Sequence, residues 1–253
     1  MVWRMKRILL LSLMIAMAVG PLSAAQISTL ATLAVEGPLR ALAKEFKQQT
    51  GNDVNVQVDT SPNITRRLAA GEVPDVLIAA AGTVDQAIKA GKAVADSRAP
   101  LGKIGVGVAM SRGGRRPDIS SVDALKASLL QADAVLYSQG ASGAYVERML
   151  RDIGIADQIK AKTAQLATGG DVMERLGAGR GNEVGFTMVS EIKHGEAHGG
   201  SLVGPLPAAI QSYTAYDAVV MSGSGATDAA RAFVRVLAAP AARQMLAAGG
   251  WEF

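Results

Sequence analysis

The stretch Val54–Ala80, VNVQVDTSPNITRRLAAGEVPDVLIAA, sets two hydrophobic periods side by side. Val54, Val56 and Val58 alternate with polar residues, the two-residue period of a strand with one buried face. Ser61-Pro62-Asn63 then opens a helix, because proline's fixed φ and missing N–H cost nothing in a first turn. Ile64 and Leu68 fall on one face of it and Gly71 closes it. Asp75–Ala80 is almost continuously apolar, as in a parallel strand buried on both faces. Strand, helix and strand in this order make a βαβ unit, and hence a parallel sheet with covering helices.

The same grammar extends both ways. Upstream, Gln26–Leu33 reads as a strand and Pro38 starts a helix. Leu39, Leu42, Ala43 and Phe46 form its apolar face, and Gly51 ends it. Downstream, Thr83–Ala90 is a helix and Lys103–Met110 a long apolar strand. A second βα series follows: a helix capped by Ser121, strand Ala134–Tyr137, a small-residue loop Ser138–Gly143, helix Ala144–Ile153, helix Gly170–Leu176 and strand Glu183–Met188. Strand Tyr216–Met221 and helices Thr227–Leu237 and Ala241–Ala248 complete the chain. The fold class is α/β with two lobes, each expected to carry its own sheet, joined by a hinge beside an interlobe cleft. Lobe 1 takes residues 26–104 plus 218–253 and lobe 2 residues 105–217, with the closing helices back on lobe 1. The chain then crosses near Leu101–Gly105 and Thr214–Ala218.

Ahead of this lie Arg4, Lys6 and Arg7, an apolar run Ile8–Val19, and Ser23-Ala24-Ala25. A charged start, a short apolar core and small residues at the cut make a signal peptide over residues 1–25, with cleavage after Ala25. The run is too short to span a bilayer, so the mature chain is expected to be soluble in the periplasm. Three of the 26 basic residues and none of the 22 acidic ones precede Gln26, which leaves 23 against 22. The basic balance is therefore largely an export signal, and no nucleic-acid partner is expected. Zero cysteines exclude disulfides and thiol chemistry.

Ligands of open α/β sheets sit beyond the carboxyl ends of parallel strands. Here those positions are Ala31–Gly37, Thr60–Asn63, Ala79–Thr83, Gln139–Gly143, Thr168–Asp171 and Thr187–Ser190, rich in small and hydroxyl residues. Helix-terminal amides beside hydroxyls bind anions, although each alone is ordinary capping. The residues expected to meet a ligand are Thr32, Ala34, Val35, Ser61, Asn63, Ala80, Ser142, Gly143, Val172 and Met188.

Several motifs in order carry a resemblance: Pro38-Leu39-x-x-Leu42-Ala43-x-x-Phe46, Arg66-x-Leu68-x-x-Gly71-x-x-x-Asp75-Val76-x-Ile78-Ala79, Ala141-x-Gly143-x-Tyr145, Asp171-Val172-x-x-x-Leu176 and Gly185-Phe186-x-x-x-Ser190. Together they resemble the periplasmic molybdate-binding proteins of ABC importers, which have the type II periplasmic-binding-protein fold. The resemblance implies a small anionic ligand, a membrane importer as partner, a monomer, and no cofactor or metal. In that family two first-lobe serines, second-lobe amides and a tyrosine hold a tetrahedral oxyanion. Carried over, the first serine falls on Ala34 and the second on Ser61 or Pro62. The amides fall on Ala141 or Ser142 and on Val172, and the tyrosine on Met188. With two of three hydroxyls missing, a bare dianion would be short of donors. Met188 and Val35 suit a ligand containing carbon, such as a small carboxylate, better than molybdate or tungstate.

The resemblance extends to aconitate isomerase, a cofactor-free periplasmic enzyme on this scaffold. An allylic proton shift needs one base and clamps for carboxylates. Glu36 and Tyr145 are the candidate catalytic groups, with Asp59 and Asp171 as further acid–base candidates. Each also has an ordinary structural role, and for Glu36 that is a favourable acid at a helix start. His194-Gly-Glu-Ala-His198 has two imidazoles four apart, but the glycines around it point to a surface loop and no third metal ligand is evident. Gly177-Ala-Gly179-Arg-Gly181 follows a helix and precedes a strand, the reverse of a dinucleotide loop. Met221 and Met245 read as core.

Overall fold

The computed structural model describes residues 24–253. The signal-peptide assignment falls almost wholly outside these residues. In chain order the strands and helices are β1 Gln26–Thr32, α1 Glu36–Thr50, β2 Asp53–Asp59, α2 Ser61–Ala69, β3 Val76–Ala80, α3 Ala81–Lys89, β4 Ala99–Met110 and α4 Val122–Gln131. Then come β5 Ala134–Ser138, α5 Ala141–Asp152, α6 Ala156–Ile159, β6 Thr163–Leu166, α7 Gly169–Gly177, β7 Glu183–Met188 and α8 Val189–Gly195. The chain closes with β8 Ser201–Pro205, β9 Tyr213–Val220, α9 Thr227–Leu237 and α10 Pro240–Ala248. Among the described residues no helix is long and apolar enough to cross a membrane.

The protein is a two-lobed α/β fold. β1 pairs in parallel with β2 and β3, and β5 with β6 and β7, giving two parallel sheet cores. Contrary to the expectation of separate sheets, one hydrogen-bonded path, β2-β1-β3-β9-β4-β7-β5-β6, joins them. The join is β4. Its residues Ala99–Gly105 pair with β9, whereas Val106–Met110 pair with β7. A single long apolar strand thus serves both sheets, so the chain can pass between lobes without leaving the ladder.

Each sheet has a core on both faces. On one face of the first sheet Ile27, Leu42, Phe46, Phe233 and Leu246 gather from β1, α1, α9 and α10, with the Phe46 and Phe233 rings 5.1 Å apart. On the other face α2 and α3 contribute Ile64, Leu68 and Val84. In the second sheet Leu125, Val146 and Ile159 cover one face and Val172, Met173, Leu176 and Ile192 the other.

The Ser121 hydroxyl accepts the Ala124 amide at 3.1 Å, the expected cap of α4. Two boundaries differ from the sequence reading. α5 begins at Ala141, so the small-residue loop before it is partly its first turn. α8 includes Gly195, which the sequence suggests should break it. A Cβ at Gly195 would lie 2.7 Å from Met173 Cβ, so this glycine serves close packing of α8 on α7. β6 and β8 are short, amphipathically weak strands that the sequence pattern does not reveal.

Candidate functional site

A narrow cleft opens where the strand ends of the two sheets face each other. From the side of the first sheet it is lined by Thr32, Leu33 and Ala34 after β1, Asp59, Thr60 and Ser61 between β2 and α2, and Tyr216 on β9. From the second lobe come Ser138, Gly140 and Ala141 around the start of α5, Thr168 and Gly169 at the start of α7, and Met188 and Glu191 at the start of α8. No lysine or arginine is among these lining residues.

Three helices of full length, α2, α5 and α7, begin at this cleft. First-turn amides have no intrahelical acceptor and carry the positive end of the helix dipole. Neither Thr60 before α2 nor Gly140 before α5 caps its helix with a side chain. α7 is closed instead by a reciprocal box: the Thr168 hydroxyl accepts the Asp171 amide at 3.1 Å, and Asp171 Oδ2 accepts the Thr168 amide at 2.8 Å. Thr32 is 3% exposed, yet its Oγ1 has no hydrogen-bond partner among the described residues.

Of the ten residues expected to bind ligand, Thr32, Ala34, Ser61 and Met188 line this cleft. Ser142 and Gly143 sit just behind, in the first turn of α5. The Ser142 hydroxyl lies 3.3 Å from that of Ser138, which does line the cleft. A Cβ at Gly143 would fall 1.5 Å from the Ser138 carbonyl oxygen, so only glycine lets α5 start this close to β5. Val35 is buried in the first-lobe core and Val172 in the second, and the Val172 amide donates to the Thr168 carbonyl at 3.3 Å. Asn63 binds Asp59 through Nδ2 at 2.7 Å. Ala80 pairs with Tyr216 across β3 and β9, one strand behind the wall.

The acid–base candidates separate more sharply. Glu36 pairs with Arg40 at 2.8 Å, and Asp171 serves the α7 cap. The Tyr145 hydroxyl donates to the Ile210 carbonyl at 2.5 Å, and burial pushes its phenol up. None of the three lines the cleft. Asp59 does, held by the Thr60 amide at 2.8 Å and with Arg67 3.5 Å away.

Ser138, just ahead of an expected position, and, more consequentially, Tyr216 and Glu191 were not foreseen. Tyr216 reads in sequence as one aromatic in an apolar strand, yet its ring lies at the cleft wall, with Trp251 5.3 Å behind it. Burial first, and the neighbouring Glu191 second, push its phenol up. Glu191 sits at the third position of α8, where an acid looks like an ordinary cap. Its Oε2 accepts the Thr187 hydroxyl and, at 3.3 Å, the Met188 amide. Burial nevertheless pushes this carboxyl up, against both hydrogen bonds. A Cβ at Gly169 would lie 2.3 Å from Glu191 Oε2, so the glycine makes the space the carboxyl occupies. Among the described residues no group of three or more His, Asp or Glu is placed to hold a metal ion.

Known proteins share this architecture. The Azotobacter vinelandii periplasmic molybdate-binding protein matches with a TM-score of 0.74 at 17% identity, over 90% of this chain and 99% of that one. The sulfate-binding protein SubI of Mycobacterium tuberculosis matches with a TM-score of 0.68 at 19% identity, over 90% and 86%. These likenesses carry the fold. In sequence, the aconitate isomerase of a Pseudomonas species is 32% identical over 246 residues, 92% of each chain. The model of the bacterial extracellular solute-binding proteins matches residues 15–252, and the chain belongs to that family.

Proposed function

We propose that the protein closes its two lobes on a small organic anion, a di- or tricarboxylate, in the periplasm, and delivers it to an ABC importer. The observation that carries this reading is the make-up of the cleft: helix starts and the hydroxyls of Thr32, Ser61 and Ser138 beside the apolar Ala34 and Met188. Amides and hydroxyls meet carboxylate oxygens, and the apolar wall meets carbon. A bare oxyanion would leave that wall unmatched. In this reading lobe 1 is 26–104 plus 218–253 and lobe 2 is 105–217, hinged where β4 exchanges partners, and the exported chain starts at Gln26. A thermal-shift screen of mature protein tests it. Ligand at 100 times Kd adds about 2.7 kcal/mol, so carboxylates should raise Tm while molybdate, tungstate and sulfate leave it unchanged.

A second reading is favoured by the 32% identical aconitate isomerase, which spans nearly the whole chain. Here the bound anion is an unsaturated tricarboxylate whose double bond moves within the cleft. NMR of cis- and trans-aconitate incubated with the protein separates the two readings: unchanged ligand means a carrier, interconversion an enzyme.

A further inference from the structure

We propose that Glu191 is the catalytic acid–base residue of this cleft, exchanging one proton with the two allylic carbons of a bound unsaturated carboxylate. The inference rests on the isomerase reading above. It starts from placement. Glu191 is a carboxyl group that lines the cleft and is surrounded by protein on its other sides, at the start of α8. Both hydrogen bonds given to it, from the Thr187 hydroxyl and the Met188 amide, fall on one oxygen, Oε2. They fix the group while leaving Oε1 to meet a ligand. Thr32 lines the same cleft, and its buried hydroxyl has no hydrogen-bond partner among the described residues.

Burial, with no cation lining the cleft to offset it, favours a proton here. The other titratable side chains lining the cleft are Asp59 and Tyr216, and no cation lines it. On the packed neighbour α7, Asp171 is bonded to Thr168. Burial raises the Glu191 pKa. A carboxyl raised toward the working pH is a stronger base than an exposed one and still returns its proton readily.

The step balances with this one group. The Glu191 carboxylate removes a proton from the saturated carbon next to the double bond, and the C–H electron pair becomes the new C=C bond. The old C=C pair takes the proton back from the Glu191 acid at the far carbon. No oxidant, reductant or further reactant enters, and Glu191 ends as it began.

The test uses mature protein with cis- and trans-aconitate in D2O, followed by NMR, beside Glu191→Gln. Glutamine keeps an acceptor for Thr187 and Met188, so folding and binding are expected to persist, within about threefold in Kd, while interconversion and deuterium uptake fall by at least about 100-fold. The wild-type rate should also rise with pH, with a midpoint above the ordinary carboxylate range. A Gln variant as fast as wild type overturns the Glu191 assignment and leaves the isomerase reading standing. Wild-type protein that binds aconitate with neither interconversion nor deuterium uptake overturns both. Should the variant fail to fold, a wild-type midpoint in the ordinary carboxylate range overturns the assignment by itself.

Discussion

The Ser190 hydroxyl, at the start of α8, donates a buried 2.7 Å hydrogen bond to the carbonyl oxygen of Ala34, in the short 3-10 turn after β1. Ala34 lines the cleft, and Ser190 lies between the lining residues Met188 and Glu191, so the bond ties one wall to the other in the arrangement observed. Met188 reinforces it by packing into the first-lobe core.

Ser190→Ala is therefore expected to weaken closure more than folding. One neutral hydrogen bond contributes about 1 kcal/mol, so ligand Kd should rise roughly fivefold. Calorimetric titration measures the first and thermal unfolding the second. A large loss of Tm with unchanged Kd would mean that the bond supports the lobes rather than their closure.

Thr32→Val separates binding from stability in the opposite sense. The native hydroxyl is buried without a partner, so an isosteric apolar side chain should leave the free protein equally stable or up to about 1 kcal/mol more stable. Affinity should fall about tenfold, because a ligand acceptor loses its donor. Equal affinity would remove Thr32 from the binding set.

Glu191 gives stability a pH dependence of definite sign. Its folded pKa is raised above the ordinary 4.5. Above about pH 4.5 the unfolded chain releases this proton first, so the contribution of Glu191 falls as pH rises and levels off above the folded pKa. In Glu191→Gln that fall is absent. Denaturant titrations of both proteins from pH 4 to 9 measure the difference, and parallel curves would place Glu191 in an ordinary solvated setting.

Asp75 runs the other way. Burial raises its pKa, but the hydroxyls of Ser28 and Ser224 and the amides of Ser28 and Ala226 bond the carboxylate and lower it overall, below 3.8. Its contribution is present above the unfolded value and is lost as pH falls through the folded one. Asp75→Asn should cost on the order of 2 kcal/mol at pH 7 and progressively less as acid protonates the folded carboxyl. Equal costs at pH 7 and in acid would contradict this.

The sequence makes the βα series legible because helix and strand periods differ, as Val54–Val58 and Ile64–Leu68 demonstrate. It also places most cleft walls, since helix starts after parallel strands must face one another. What it does not reveal is how many elements one residue serves. Glu191 looks like a cap because its neighbours in sequence are capping neighbours. Its cleft role depends on Gly169, 22 positions away, leaving the space. Tyr216 looks like core and is core, packed on Trp251, and nothing in the sequence shows that it also borders the cleft. The shared β4 escapes for the same reason: an apolar run gives no sign of where its partners change.

Calorimetric titration of a protein spanning residues 26–253 with cis-aconitate, trans-aconitate and citrate, and separately with molybdate and sulfate, tests the central claim most directly. Trp251 fluorescence, read through its contact with Tyr216, provides a second signal. The account predicts micromolar Kd, near −8 kcal/mol, for at least one of the carboxylates and no heat from either inorganic oxyanion. Tight molybdate binding with none of the carboxylates bound would contradict it.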